Sequence, residues 1–484
     1  MYITLLTATY MKLTKNLEGA IKIGSRIVDN ILTKELSKVV WEVETKKEFS
    51  IKKAIDKRKD LINEIDPYFS YVLTLLSSSL NEIKKKFSRS IDKAIEFHMD
   101  AVEKMVIKFV ETSINPIKII FSFLVLLPVI LIALMPIATL IVESSNAGKD
   151  LLIIIDIIIP FVVFIGLINV VSKRPVAILE TYTKEVKIEN RNVPILILGF
   201  LIALLAILFL PYPFSVPTSI SLLSLSLLIF LKLGIKNHLK NIEKIQYIIN
   251  EMPILLKEIG VSLRRGEPLE LALKHLLKTK NLSKPTLKFI SLLHNWISIK
   301  GKSLKSFIEI IEKEFPSSLL RDIFVVLSIA VERGTVEAGS VIEKLSEYIE
   351  RMERLERRMA ELLDEVTSSL SLMASITIPL IASISLSFAL VVLEYISSIN
   401  IRNNLILDLK KVSITPEEVS LIISLYAIEM IILSSAFNAI LKYGRNKVKI
   451  IEDISSKTVQ GIIIYIVSFF LTYILLKSII GGVV

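Results

Sequence analysis

Seven stretches almost empty of charge constrain this chain more than anything else in it. They lie at about 117–142, 151–172, 194–211, 213–234, 367–396, 419–441 and 459–480. An apolar run of roughly 20 residues is what a helix needs to cross the hydrocarbon core of a bilayer. The third run is only just long enough, and with the fourth it forms a tight hairpin over "LPYPFSVP". The expected fold class is therefore an all-α polytopic membrane protein with about seven transmembrane helices.

Charge sets the orientation. With the N-terminus inside, most of the 59 Lys and Arg fall in four cytoplasmic segments, 1–116, 173–193, 235–366 and 442–458. The outer loops then hold only Lys149, Arg402, Lys410 and Lys411. Basic residues concentrate in short cytoplasmic loops, so the expected topology is a multi-pass protein of the cell membrane, N-terminus cytoplasmic and C-terminus outside. The first residues have a short apolar run with no basic region ahead of it, so no secretory signal is expected. The net charge of +11 is then a topological signal. The two large cytoplasmic segments mix both signs and carry no basic stripe interleaved with aromatics, so nucleic acid is not an expected partner.

The junction of soluble and membrane parts is written in "RMERLERRMAELLDEVTSSLSLMASITIPLI", Arg351 to Ile381. Its first half is dense with charge and its second has none, yet no Gly or Pro separates them. Leu345, Tyr348, Met352, Leu355, Met359, Leu362 and Val366 recur at steps of three and four, a heptad seam for a partner helix. Glu347–Arg351, Glu350–Arg354 and Glu353–Arg357 stand four apart with the acid first, the favoured order on an exposed face. A single helix is expected, a stalk projecting roughly 40 Å from the membrane and continuing into it, with Pro379 tolerated inside.

Four segments follow: a cytoplasmic helical domain at 1–116, four spans within 117–234, a second cytoplasmic helical domain at 235–366, and three spans within 367–484. The two cytoplasmic domains resemble each other at a shift of about 250 residues, as duplicated units do. "PLELALKHL" at 268–276 aligns with "NLEGAIKIG" at 16–24, and "KGKSLKSFI" at 300–308 with "KKEFSIKKAI" at 46–55. The first domain also ends in a seam, Ile91, Ile95, His98, Val102, Met105 and Phe109, leading into a span with an internal Pro128. An internal repeat of two helical-bundle domains is expected, the first lacking a counterpart of helix 240–260.

Little in the chain suggests catalysis. There is no cysteine, which excludes disulfides, thiol nucleophiles and cysteine-ligated metals. "KGKS" at 300–303 has Trp296 where a phosphate-binding loop needs its first glycine, and reads as a turn. His98, His238, His275 and His294 show no metal-ligand spacing, and His98 reads as a core histidine. Two SxxK matches, Ser50–Lys53 and Ser90–Lys93, read as helix faces. No cofactor or metal site and no enzymatic activity are expected. Two intramembrane carboxyls stand out: Glu429 near the middle of its span, and Asp156 near an outer end from which it reaches the interface. An acid at such depth is costly unless protonated or paired. Polar glue between helices, with Asn438, Tyr465 or a backbone carbonyl as partner, is the preferred reading over an ion-coupling site.

"EMPILLKEIGVSLRRGEPLELALKHL" (251–276), followed by "VERGTVEAGSVIEKLSEYIERMERLERRMAELLDEV" (331–366) and a Pro-containing apolar helix, resembles the type II secretion F-domain family. These are the inner-membrane platform proteins of secretion systems and type IV pili, and the chain looks most like the archaeal branch, which serves the archaellum and archaeal pili. The resemblance covers about 240–395, with support from the repeat over 16–130. It implies no enzymatic activity, and as partners a cytoplasmic hexameric secretion ATPase, pilin or archaellin subunits, membrane lipids and further copies of the chain. It also implies turn positions at Gly266, Pro268, Gly334 and Gly339. Arg264, Arg265, Lys300, Lys302 and Lys305 lie at loop tips and are the candidate ATPase contacts. A secondary transporter using Glu429 as its coupling site is the alternative.

Overall fold

The computed structural model describes residues 2–26, 31–141, 153–174, 192–279, 281–333, 335–402, 415–444 and 446–481. Among them every regular element is a helix. In chain order these are α1 (Tyr2–Thr14), α2 (Leu17–Gly24), α3 (Ile31–Glu44), α4 (Ile51–Lys57), α5 (Lys59–Ile65), α6 (Pro67–Ser79) and α7 (Lys84–Ile141). A π-helix, Ile153–Ile158, leads into α8 (Ile159–Ser172), followed by α9 (Val193–Phe209), α10 (Ser215–Gly234) and α11 (Lys236–Arg264). Then come α12 (Leu269–Thr279), α13 (Lys284–His294), α14 (Leu304–Glu314), α15 (Ser318–Arg333) and α16 (Thr335–Leu372). A second membrane-side π-turn, Met373–Thr377, joins α16 to α17 (Ile378–Arg402), and α18 (Pro416–Tyr443) and α19 (Lys447–Gly481) complete the chain.

The helices fall into two compact units, one built from residues within 1–108 and 240–359, the other from residues within 109–174, 186–239 and 360–484. The first unit has a conventional water-soluble design. Local signals set its helix starts: Asn16 accepts from the Gly19 amide (3.1 Å), Ser50 from Lys53 (3.4 Å), Asp66 from Phe69 (2.9 Å) and Ser303 from Ser306 (3.4 Å). Its core holds Leu5, Leu6 and Met11 of α1, Ile21 of α2, Leu36 of α3 and Phe69 of α6, all essentially inaccessible. Phe289 is ringed edge-on by Phe307, Phe315 and Phe324 at 5.1–5.9 Å. Each such pair adds about 0.5–1.5 kcal/mol beyond area burial. Helix α1 packs on α15, so the two sequence segments share one body. A helix, α1, precedes α2 as α11 precedes α12. It has 13 residues, against 29 in α11.

His98 is buried, with Thr4 Oγ1 3.0 Å from its Nδ1 and Asp66 3.9 Å from its Nε2. Burial, aided by the positive N-terminus, drives its pKa down to about 2, which keeps the ring neutral as a core histidine.

The second unit inverts that design. Helix α9 buries only Gly199, Ala203 and Ala206 and turns its large side chains outward, Phe209 being 80% exposed. Outward leucine, isoleucine and phenylalanine on this scale fit lipid and not water. Helices α17, α18 and α19 pack mutually, and α10 joins them through Leu228, Ile428 and Ile462. Hydroxyls cross these interfaces: Ser468 donates to Ser383 (2.7 Å), Ser387 pairs with Thr472 (2.7 Å) and Ser424 with the Tyr465 hydroxyl (3.0 Å). In an apolar medium each such bond contributes about 0.6 kcal/mol.

Five helices among the described residues are long and apolar enough to cross a membrane: Ile153–Ser172, Ser215–Gly234, Val336–Tyr395, Pro416–Tyr443 and Lys447–Ile479. Val193–Phe209 is apolar but only 17 residues long. The expected span at 117–142 falls on the last part of α7 up to Ile141, and side chains beyond residue 120 lie outside the described ones.

Both membrane-side π-turns end just before a proline, Pro160 and Pro379. Proline has no N–H to give to the carbonyl four residues back, and widening the turn is one way to absorb that defect without breaking the helix. The stretch from Thr335 to Arg402 therefore stays helical throughout, with Pro379 tolerated inside it as expected.

Candidate functional site

The seam of α16 faces a parallel partner, and that partner is α7 of the same chain. Tyr348 donates its hydroxyl to Asp92 (2.9 Å), which also receives Lys12 of α1 (2.8 Å). Arg351 pairs with Asp100, and Arg358 lies 3.4 Å from Glu103. In the second unit Lys118 meets Glu365 at 2.8 Å. Residue numbers rise together along both helices, as in a parallel coiled coil. Tyr348, Met352, Leu355 and Met359 are all buried, as the heptad predicts.

Leu362 corrects that register. It is 38% exposed, and Leu363 is buried in its place. On α7 Val106 is buried and Met105 only half so, while the expected seam residues Phe109 on α7 and Val366 on α16 stay buried. An α-helix has 3.6 residues per turn and drifts about 20° per heptad against a 3.5-residue repeat, so a seam over several turns moves by one position unless the helices supercoil fully. The salt links were also partly misplaced. Glu350–Arg354 closes at 2.6 Å, whereas Arg351 leaves Glu347 for α7, and Glu347 pairs with Lys344 (2.6 Å). No Glu353–Arg357 hydrogen bond forms, and Oε1 of Glu353 is buried without a partner among the described residues.

Burial lifts the Glu353 carboxyl to about 7, against the pull of Arg357. A folded-state pKa above the unfolded one means that this group's stability contribution is full below the usual glutamate range and is lost as pH rises through about 7. Glu353→Gln should therefore stabilise the protein at about pH 8 by about 1 kcal/mol, a figure discounted for the partial exposure of the side chain. Thermal unfolding in detergent at several pH values reads this out. An identical pH slope in both proteins would contradict it.

The loop-tip residues are less uniform than expected. Gly266 has φ +84° and open space around it, so its role is conformational, and Pro268 supplies the carbonyl that starts α12. Gly334 lies outside the described residues. Gly339 is not at a turn: it sits in the second turn of α16, where a Cβ would lie 2.4 Å from the Arg264 amide nitrogen and 2.5 Å from the Gly260 carbonyl. Gly260 meets Gly339 in the same way, so α11 and α16 cross backbone to backbone. Ser346 then reaches the Pro253 carbonyl (2.6 Å), and Arg264 pairs with Glu343 (2.9 Å) across the crossing. Lys305 meets Glu332 at 2.8 Å. Lys300 and Lys302 lie over the Trp296 ring at 4.9 and 4.5 Å, around the Gly301 turn at φ +60°. Arg265 is exposed.

The intramembrane acids carry the largest departure from expectation. Asp156 is 8% exposed, in the π-helix that packs on α18. Glu429 lies on α18, the helix against which that π-helix packs. Neither Asn438 nor Tyr465 partners Glu429, because Asn438 bonds to Asp453 (3.3 Å) and Tyr465 to Ser424. The sequence signal for Asp156 was the proline four residues on, which widens the turn carrying it.

Comparison of the chain with protein-family models, curated proteins and solved structures finds no match.

Proposed function

We propose that the chain is the integral membrane platform of an archaeal type IV pilus or archaellum assembly machine, coupling a cytoplasmic secretion ATPase to the insertion of pilin subunits. One observation carries this reading. The helix from Thr335 to Arg402 pairs a charged, seam-bearing half with an apolar half and no break between them, which suits a part that passes motion from water into lipid.

Further support comes from helix order. Six helices, α1 to α6, precede the long α7, and five, α11 to α15, precede the long α16. A duplicated unit whose two stalks pair with each other, seven spans, and a cytoplasmic N-terminus form part of the proposal, the last resting on the placement of Lys and Arg. In this reading the protein catalyses nothing and works as a homo-oligomer.

The exposed side chains at the tips of the second bundle, Arg265, Lys300 and Lys302, are the proposed contacts with an acidic rim of the ATPase, while Arg264 and Lys305 are drawn partly into internal pairs. Capture of a purified hexameric secretion ATPase by the full-length protein in lipid nanodiscs tests the reading. Binding that weakens roughly tenfold in a triple Arg265→Glu, Lys300→Glu, Lys302→Glu variant is expected, since rim charges of this kind govern encounter. Absence of binding by the unaltered chain would refute it.

A further inference from the structure

The platform reading leaves Asp156 and Glu429 without a task. Both oxygens of Asp156 and Oε2 of Glu429 are buried with no hydrogen-bond partner among the described residues. Asp156 is more than nine-tenths buried, and its π-helix packs directly on the helix that bears Glu429. Three other titratable groups on the elements packed around α18 are engaged elsewhere. Asp453 is bonded to Asn438, Lys457 to Ser371, and Glu394 to Tyr473 and Lys477.

Two unpartnered carboxyls on helices packed against each other in an apolar medium are costly to ionise together without a counter-charge. A divalent cation would ask for about six oxygens. No group of three metal-binding side chains exists among the described residues, so the pair supplies too few. A proton needs only the two carboxyls.

We propose that Asp156 and Glu429 form an intramembrane proton-binding pair, holding at least one proton between the π-helix Ile153–Ile158 and α18. The placement of Asp156 on a widened turn suits this role, since such turns set a side chain off the regular helical register. A protonated pair lets the π-helix and α18 pack closely. Loss of the proton leaves like charges facing each other at that contact and loosens it, which ties the packing of the membrane unit to proton availability.

The test uses the full chain reconstituted in phosphatidylcholine vesicles and a hydrophobic carbodiimide, which reacts with protonated carboxyls inside membranes. Peptide mass spectrometry locates the adduct. We expect modification at Asp156 or Glu429 at about pH 6.5, falling roughly tenfold or more by about pH 10 as the proton is lost. In Asp156→Asn the pH dependence of labelling at Glu429 should change, because its coupled neighbour is gone. No label on either residue at the lower pH would overturn the proposal, and so would protection by sodium or calcium ions, which would mark a metal-cation site. An unchanged labelling profile in Asp156→Asn would dissolve the pair.

Discussion

Leu355→Glu is expected to separate α16 from α7 and abolish filament assembly, while Leu362→Glu leaves both intact. Leu355 is 4% exposed on the seam, between the Arg351–Asp100 and Arg358–Glu103 links. Removing a buried leucine alone costs about 2–5 kcal/mol, and a carboxylate in its place adds the cost of burying an unpaired charge. Against a domain stability of about 5–15 kcal/mol, that is enough to unmake the helix pair. Leu362 lies one heptad on and would be equally intolerant if the seam kept a strict seven-residue repeat. At 38% exposure it faces outward, and a glutamate there should cost less than about 0.5 kcal/mol. Proteolysis of the two purified variants in nanodiscs distinguishes them. Rapid cleavage within 84–366 is expected only for Leu355→Glu, and equal behaviour of the two would contradict the register.

The sequence was most legible where one physical signal dominates. Five of the seven long uncharged runs are helices long and apolar enough to cross a membrane among the described residues, because lipid leaves a chain few alternatives. The heptad gave the seam from Tyr348 to Met359. The glycine at φ +84° was visible at Gly266, next to a helix start. What failed did so where the answer depends on a distant helix. Gly339 looked like Gly266 in sequence, yet its role is set by Gly260, nearly eighty positions earlier. Arg351 had Glu347 at the favoured local spacing and chose Asp100, since a pair shared by two helices also holds their register. Asp156 and Glu429 are more than 270 residues apart, and no periodicity in either span shows that their helices pack together. The slip at Leu362 is a cumulative error of a fraction of a residue per turn, invisible in any single heptad.

In the proposed platform, motion of the first unit would pass to the second through α16, the π-turn at Met373–Thr377 and α17, which are helical without interruption. Inserting four glycines between Val366 and Thr367 attacks that path and nothing else. Each glycine in a helix interior costs about 1 kcal/mol relative to alanine, so the insert favours a local break. It adds no charge and lies beyond the Arg358–Glu103 link, so folding of the bundle, membrane insertion and ATPase capture should persist. The decisive measurement is the number of filaments per cell in a strain carrying this insertion, at matched protein level and with ATPase binding verified. The account predicts a fall of roughly tenfold or more, from a flexible joint that bends instead of transmitting. Filaments at the level of the unaltered protein would contradict it.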